Sequence, residues 1–255
     1  MRENPLKSVV RELFFKPGSV RTICIGPMKG MRYRVGCVTG MSPWYSGSER
    51  GHQRWFQKVV RPGNMVMDLG ANWGLHTLYL SRLVGTNGLV VAVEPYAQAL
   101  SELNWHLEAN GCSNVKVLPL AVSNCEKEEI FVPGDAPSTG QLVGPQADAS
   151  SCGNAVSVPV RRLDSLVEEL NLQRLDMIKI DVEGAEERVF LGAQNTIERF
   201  RPRFVVELHG PQMRSAITNI LTKHDYIISP LTGKVCSGVE QGAIVATPRS
   251  IAGTT

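Results

Sequence analysis

The chain has 255 residues, 43% of them hydrophobic and 20% charged, with a formal net charge of +3. That length buries a sizeable core and fits one α/β domain, residues 62–255, behind an N-terminal extension, residues 1–61. No apolar run is long enough for a bilayer span, and Arg11 and Glu12 break any secretory apolar core. The six cysteines form no Cys-x-x-Cys pair, which argues against a zinc or disulfide framework and for a reducing, cytoplasmic setting.

Charge is unevenly spread. Residues 1–61 hold 12 Lys/Arg against three Asp/Glu, and the remainder holds 15 against 21. Such asymmetry suits an extension packed on its own acidic domain, the simpler reading, or a docking surface for an anionic acceptor.

Asn4-Pro5 followed by Leu6, Val9, Val10, Leu13 and Phe14 predicts an N-capped amphipathic helix ending near Lys16-Pro17-Gly18. Its apolar stripe needs a partner: the main domain, the simplest reading, a second subunit in a homodimer, or a membrane surface. Residues 20–40 suggest short strands around Gly26-Pro27 and Gly30, and a helix is expected through Val60. From Met65 a strand–helix–strand rhythm begins, the mark of a parallel sheet with crossover helices. Met65–Asp68, Leu89–Val93 and Val115–Leu118 read as the first three strands. Leu75, Leu78, Tyr79 and Leu83, then Leu100, Leu103 and Leu107, mark the faces of the intervening helices.

Residues 133–155 are rich in Gly, Pro, Ser and Ala and read as a long loop, either a wall or lid over an acceptor through Ser138, Thr139 and Gln141 or a disordered surface excursion. Asp164 is expected to cap a short helix. Met177–Ile180 reads as strand four and Phe204–Leu208 as strand five, with a helix from about Ala185 between them. Met213, Ile217, Ile220 and Leu221 stripe the next helix, and Tyr226–Ile228 and Ala243–Ala246 complete a seven-stranded sheet.

The chemistry concentrates at strand ends. Val66-Met67-Asp68-Leu69-Gly70-Ala71-Asn72-Trp73-Gly74 places an acid and a glycine turn where open α/β sheets bind ligands. Asp68 there would repel a pyrophosphate and welcome a cationic or hydroxylated ligand. Glu94, at the end of strand two and before Pro95, sits where a carboxylate accepts ribose hydroxyls. Lys179 and Asp181 share a face of strand four, with Glu183 just beyond, and Glu207 and His209 share a face after strand five. A lysine in a central strand is costly to bury unless paired, so Lys179 either pairs with a carboxylate to stabilise the sheet edge or serves the site. Adjacent strands would bring these groups to one carboxyl edge.

Two segments resemble the FkbM family of S-adenosylmethionine-dependent methyltransferases, on the class I Rossmann-like fold. They are Asp68-Leu69-Gly70-Ala71-Asn72-Trp73-Gly74-Leu75-His76-Thr77 and Asp176-Met177-Ile178-Lys179-Ile180-Asp181-Val182-Glu183-Gly184-Ala185-Glu186. Leu163-Asp164-Ser165-Leu166 and Val205-Val206-Glu207-Leu208-His209 also match, and the likeness covers roughly residues 45–247. The resemblance implies a seven-stranded sheet of order 3-2-1-4-5-7-6 with the last strand antiparallel. It implies that Gly70, Ala71 and Asn72 cradle the methionine part of the cofactor, Glu94 the ribose and Ala121 the adenine edge. Asp68 would organise the turn and attract the cationic end, and Gly74, Thr77, Pro95 and Asp181 complete the cofactor set. His76 departs from the aromatic residue usual at its position.

The activity so implied is methylation of a hydroxyl on a sugar or small natural product. A base must assist, and Asp181, Glu183, His209 and Lys179 are the catalytic candidates; His209 is preferred because its ordinary pKa lies nearest neutrality. A divalent metal on Asp181 and a neighbouring carboxylate is the alternative aid. Rival readings are an RNA or nucleotide-linked acceptor, a nicotinamide-dependent oxidoreductase, and a non-catalytic module that keeps the cofactor pocket.

Overall fold

The computed structural model describes residues 16, 18–34, 49–134, 140–143, 154–210, 212–231 and 242–249. The helix expected over residues 4–16 falls almost wholly outside the described residues, as do Ser138 and Thr139. The described chain opens with an antiparallel hairpin, β1 (Val20–Thr22) and β2 (Arg32–Arg34), followed by helix α1 (Glu49–Val59). Then come β3 (Met65–Leu69), α2 (Leu75–Val84), β4 (Leu89–Val93), α3 (Ala97–Ala109) and β5 (Val115–Leu118).

A second group of strands follows: β6 (Ala121–Ser123), β7 (Lys127–Pro133), β8 (Gly140–Val143) and β9 (Val156–Arg162). The chain ends with α4 (Leu163–Glu169), β10 (Met177–Ile180), α5 (Glu186–Leu191), α6 (Gln194–Phe200), β11 (Arg203–Val206), α7 (Met213–Lys223), β12 (Tyr226–Pro230) and β13 (Ile244–Pro248). Among the described residues no helix is long and apolar enough to cross a membrane.

The main sheet runs β5-β4-β3-β10-β11-β13-β12. Numbered along its own seven strands this is 3-2-1-4-5-7-6, and β13 pairs antiparallel with both β11 and β12. The strands β5, β4, β3, β10 and β11 are parallel neighbours. Side chains alternate faces along each strand. One face sends Met67, Leu69, Val91, Ile178, Phe204 and Val206 against helices carrying Leu166, Phe190, Ile217 and Leu221. The other sends Val66, Val90, Ala92, Met177 and Val205 against Leu78, Leu103, Phe56 and Ile23. Burial on both faces explains why these strands read as unbroken apolar runs. Asp68, inside Met65–Leu69, and Lys179, inside Met177–Ile180, are buried exceptions.

The hairpin of the extension joins the second core. Tyr33 stacks on His106 with ring centroids 4.0 Å apart. The Arg34 amide donates to His106 Nε2 at 2.9 Å, and His106 Nδ1 lies 2.9 Å from the Trp73 carbonyl. Accepting at Nε2 makes Nδ1 the protonated nitrogen. Burial holds the His106 pKa down to about 4, so the ring is neutral near pH 7.

Two expectations need correction. The 133–155 stretch is not loop throughout: Gly140–Val143 forms β8, the outer strand of a side sheet ordered β6-β9-β7-β8. Its four residues gain strand character from pairing with β7, a tertiary contact that composition does not record. Asp164 does not cap its own helix, which has no side-chain cap. Its carboxylate instead accepts from the Thr196 amide at 2.8 Å, the Thr196 hydroxyl at 2.7 Å and the Asn195 amide at 3.3 Å. It thus caps α6, whose first amides have no partner within the helix.

Candidate active site

The floor of the site is a buried ionic knot. Lys179 is 2% exposed and Asp68 is fully buried. The Lys179 ammonium lies 3.1 Å from Asp68, 3.3 Å from Asp181 and 2.8 Å from the Gly70 carbonyl, to which it donates. Thr77 donates its hydroxyl to the other oxygen of Asp68 at 2.6 Å. Burial alone would lower the Lys179 pKa, but Asp68 and Asp181 outweigh it and hold the ammonium well above its ordinary range. Lys179 therefore stays charged and enclosed, and it ties the glycine turn to the sheet instead of exchanging protons. Asp68 is correspondingly balanced by Lys179 and does not face a ligand.

The amides of the glycine turn are committed within the protein. Gly70 and Ala71 both donate their amides to the Val93 carbonyl at 3.0 Å. Asn72 donates to Glu94 Oε2 and Trp73 to the Asn72 side chain, each at 2.8 Å, and Gly74 donates to Ala71. Amides committed in this way make no anion nest of the P-loop kind. The glycines serve packing. Gly70 has φ +75°, and a Cβ on it would stand 1.8 Å from the Asp181 carbonyl oxygen. Gly74, at φ +87°, lies where a Cβ would meet Leu103 Cδ1 at 2.4 Å.

Above this floor a cleft of about 670 Å³, open to solvent, crosses the carboxyl ends of the strands. After β5 its wall is apolar: Leu120, Ala121, Val122, Phe131 and Leu142. After β4 come Glu94, Pro95 and Tyr96, after β3 Gly70 and Asn72, and after β10 Asp181, Val182 and Glu183. Of the expected cofactor residues, Gly70, Asn72, Glu94, Pro95, Ala121 and Asp181 line the cleft, whereas Asp68, Ala71, Gly74 and Thr77 do not. Glu94 is 6% exposed; its two oxygens accept from the Asn72 and Tyr96 amides at 2.8 and 2.9 Å. Burial pushes its carboxyl pKa up, against the pull of those amides.

At the other end stand the catalytic candidates. His209 Nε2 lies 3.3 Å from Glu183 and 3.8 Å from Asp181, and its Nδ1 is 2.8 Å from Glu186. Glu186 is completely buried. The hydrogen bond to Glu186, with the charges of Glu186, Glu183 and Asp181, raises the His209 pKa to about 9. The ring is then an imidazolium at pH 7, which removes the stated reason for preferring it as a base. Burial raises the Glu183 carboxyl, so a carboxylate there is a stronger base than usual. Burial acts on Asp181 in the same sense, but Lys179, His209 and His76 outweigh it and hold Asp181 low. Asp181, Glu183 and His209 each offer a ligand atom within 4.8 Å of the others, a donor set suited to a divalent cation.

Two residues given no role from sequence belong here. Glu186 orients His209. His52, on α1 and 6% exposed, sets its Nε2 2.8 Å from Glu207, with its ring 5.0 Å from that of His76. Glu186 falls inside the second quoted motif and was findable there. His52 is 155 positions from Glu207 and carries no local signal.

A methyltransferase FkbM domain model matches residues 68–228. The AMB antimetabolite synthetase AmbE of Pseudomonas aeruginosa is 27% identical over 225 residues; the match takes in 72% of this chain and 10% of AmbE, so the chain spans about a tenth of that relative. The hexuronic acid methyltransferase AglP of Haloferax volcanii is 24% identical, over 82% of this chain and 83% of AglP. Among solved structures, methyltransferase FkbM from Methylobacillus flagellatus shares the fold with a TM-score of 0.51 at 17% identity, covering 76% of this chain and 50% of that one. Sheet order, strand-end chemistry and the matched model agree, and the chain belongs to the FkbM methyltransferase family.

Proposed function

We propose that this chain transfers a methyl group from S-adenosylmethionine to a hydroxyl oxygen of a sugar or small natural product. The observation that carries this reading is the gradient along the cleft. An apolar end suits a purine, the buried Glu94 carboxylate in the middle suits ribose hydroxyls, and Asp181 and Glu183 beyond suit a cationic amino acid and sulfonium. The same three carboxylates, with no arginine or lysine among the described lining residues, disfavour a pyrophosphate and support a neutral acceptor over an anionic one.

The cofactor supplies an activated methyl group with a good leaving group. This chain's task is to align the acceptor oxygen and remove its proton. Glu183, with its carboxyl pKa raised, accepts that proton, and the His209 imidazolium 3.3 Å away steadies the charge that forms on the acceptor oxygen. A second reading is favoured by the Asp181, Glu183 and His209 donor set, backed by Glu186 as a metal-ligating histidine is commonly backed by a carboxylate. A divalent cation held by those three would acidify the acceptor hydroxyl.

Calorimetry with S-adenosylhomocysteine and with NAD tests the cofactor: tight binding of the first and none of the second is expected, and the reverse overturns the proposal. Labelled-methyl transfer to a panel of glycosides and hydroxylated natural products tests the acceptor class, and transfer only to amines or to RNA refutes it. Glu183→Gln should lower turnover roughly 10²- to 10⁴-fold, a far larger change than in S-adenosylhomocysteine affinity. Loss of wild-type turnover in EDTA, restored by Mg²⁺ or Mn²⁺, selects the metal reading.

A further inference from the structure

The side sheet lies outside the methyltransferase core sheet, yet it reaches the cleft. Phe131 on β7 and Gly140 and Leu142 on β8 line it, together with residues that follow β4 and β5. Phe131 is 8% exposed, and its ring lies 5.8 Å from that of Tyr96 at an interplanar angle of 30°. Beneath it, Ala121, Val158 and Val160 form a small apolar cluster with Tyr96 and Leu142 at its edge. Gly140 makes the arrangement possible. A Cβ at that position would run into the end of the Phe131 ring, so glycine lets β8 close over the ring without displacing it. The sheet is anchored from behind by Arg188 of α5, which donates to both oxygens of the buried Glu129 at 2.6 Å.

Glu94 lines the cleft beside this wall. Its Oε1 accepts from the Tyr96 amide, so the carboxylate and the aromatic wall are two residues apart on one turn. A nucleoside whose ribose hydroxyls meet Glu94 and whose 5′ substituent points to Asp181 directs its base toward Phe131 and Leu142. We propose that the side sheet is a base-recognition element: Phe131 and Leu142 form the wall against which the planar purine of the cofactor packs. The stretch read from sequence as cover for the acceptor then serves the cofactor through its described strand. This inference rests on the cofactor reading above.

The test uses S-adenosylhomocysteine and adenosine as probes on the full chain. Hydrogen exchange of the wild-type protein with S-adenosylhomocysteine should slow amides in 131–133 and 140–143 together with those in 70–72 and 94–96. Leu142→Ala should weaken S-adenosylhomocysteine about tenfold and adenosine by the same factor, because the lost contact is to the base they share. Phe131→Leu, which keeps an apolar core but removes the flat ring, should weaken both as well. Protection confined to 70–72 and 94–96, or unchanged affinity in both variants, overturns the inference and leaves the cofactor reading standing. A wild-type protein that binds neither probe overturns both.

Discussion

Lys179→Met tests the ionic knot beneath the cleft. The substitution keeps most of the stem volume but removes the charge that faces Asp68 at 3.1 Å, where Asp68 has no exposure to water. Breaking a buried pair by deleting one partner costs about 3–5 kcal/mol, because the remaining charge has neither solvent nor counterion. Against typical stabilities of about 5–15 kcal/mol, that is a large share. Asp181 also loses a partner at 3.3 Å, but its side chain is about 30% exposed and rehydrates, so it adds little. The paired change Asp68→Asn with Lys179→Met should recover at least about 2 kcal/mol, since Asn keeps an acceptor for Thr77 and leaves no unpaired ion. Urea unfolding of the three proteins measures both quantities. A loss below about 1 kcal/mol in Lys179→Met, or a double variant no more stable than the single, refutes the idea that Lys179 holds the site by neutralising Asp68.

Stability should fall on acidification through His106. Its folded pKa of about 4 lies below the ordinary 6.5, so between those values only the unfolded chain takes the proton. From pH 7.5 to pH 5 this costs about 2 kcal/mol, a slope that His106→Gln should flatten in urea titrations at the two pH values. Gly70→Ala should cost at least about 2 kcal/mol and abolish S-adenosylhomocysteine binding, because its Cβ would overlap the Asp181 carbonyl at φ +75°; a wild-type melting temperature would refute this. Asp164→Ala should lose about 1–2 kcal/mol as the cap of α6, and Asp164→Asn most of that less; equal losses in the two would assign Asp164 another role.

What could be read from sequence followed from burial and register. Strands covered on both faces must be apolar throughout, so β3, β4, β10 and β11 stood out, and the lysine inside Met177–Ile180 announced a charged partner nearby. Parallel neighbours in register also carry their carboxyl-end residues to one edge, which is why Asp181, Glu183 and His209 could be expected together. The direction of each side chain was not legible. Asp68 precedes the glycine turn whether it faces a ligand or the sheet, and only the position of Lys179 decides between them. The exclusion of a pyrophosphate, argued from Asp68, therefore moves to Glu94, Asp181 and Glu183, whose carboxylates line the cleft. The ordinary pKa was a poor guide to His209 for a similar reason: it says little once Glu186, itself without solvent, holds the imidazole's proton from behind. Electrostatic arguments from sequence thus placed the charges along the cleft's edge, but the sign each presents to a ligand depends on pairings that only the folded chain makes.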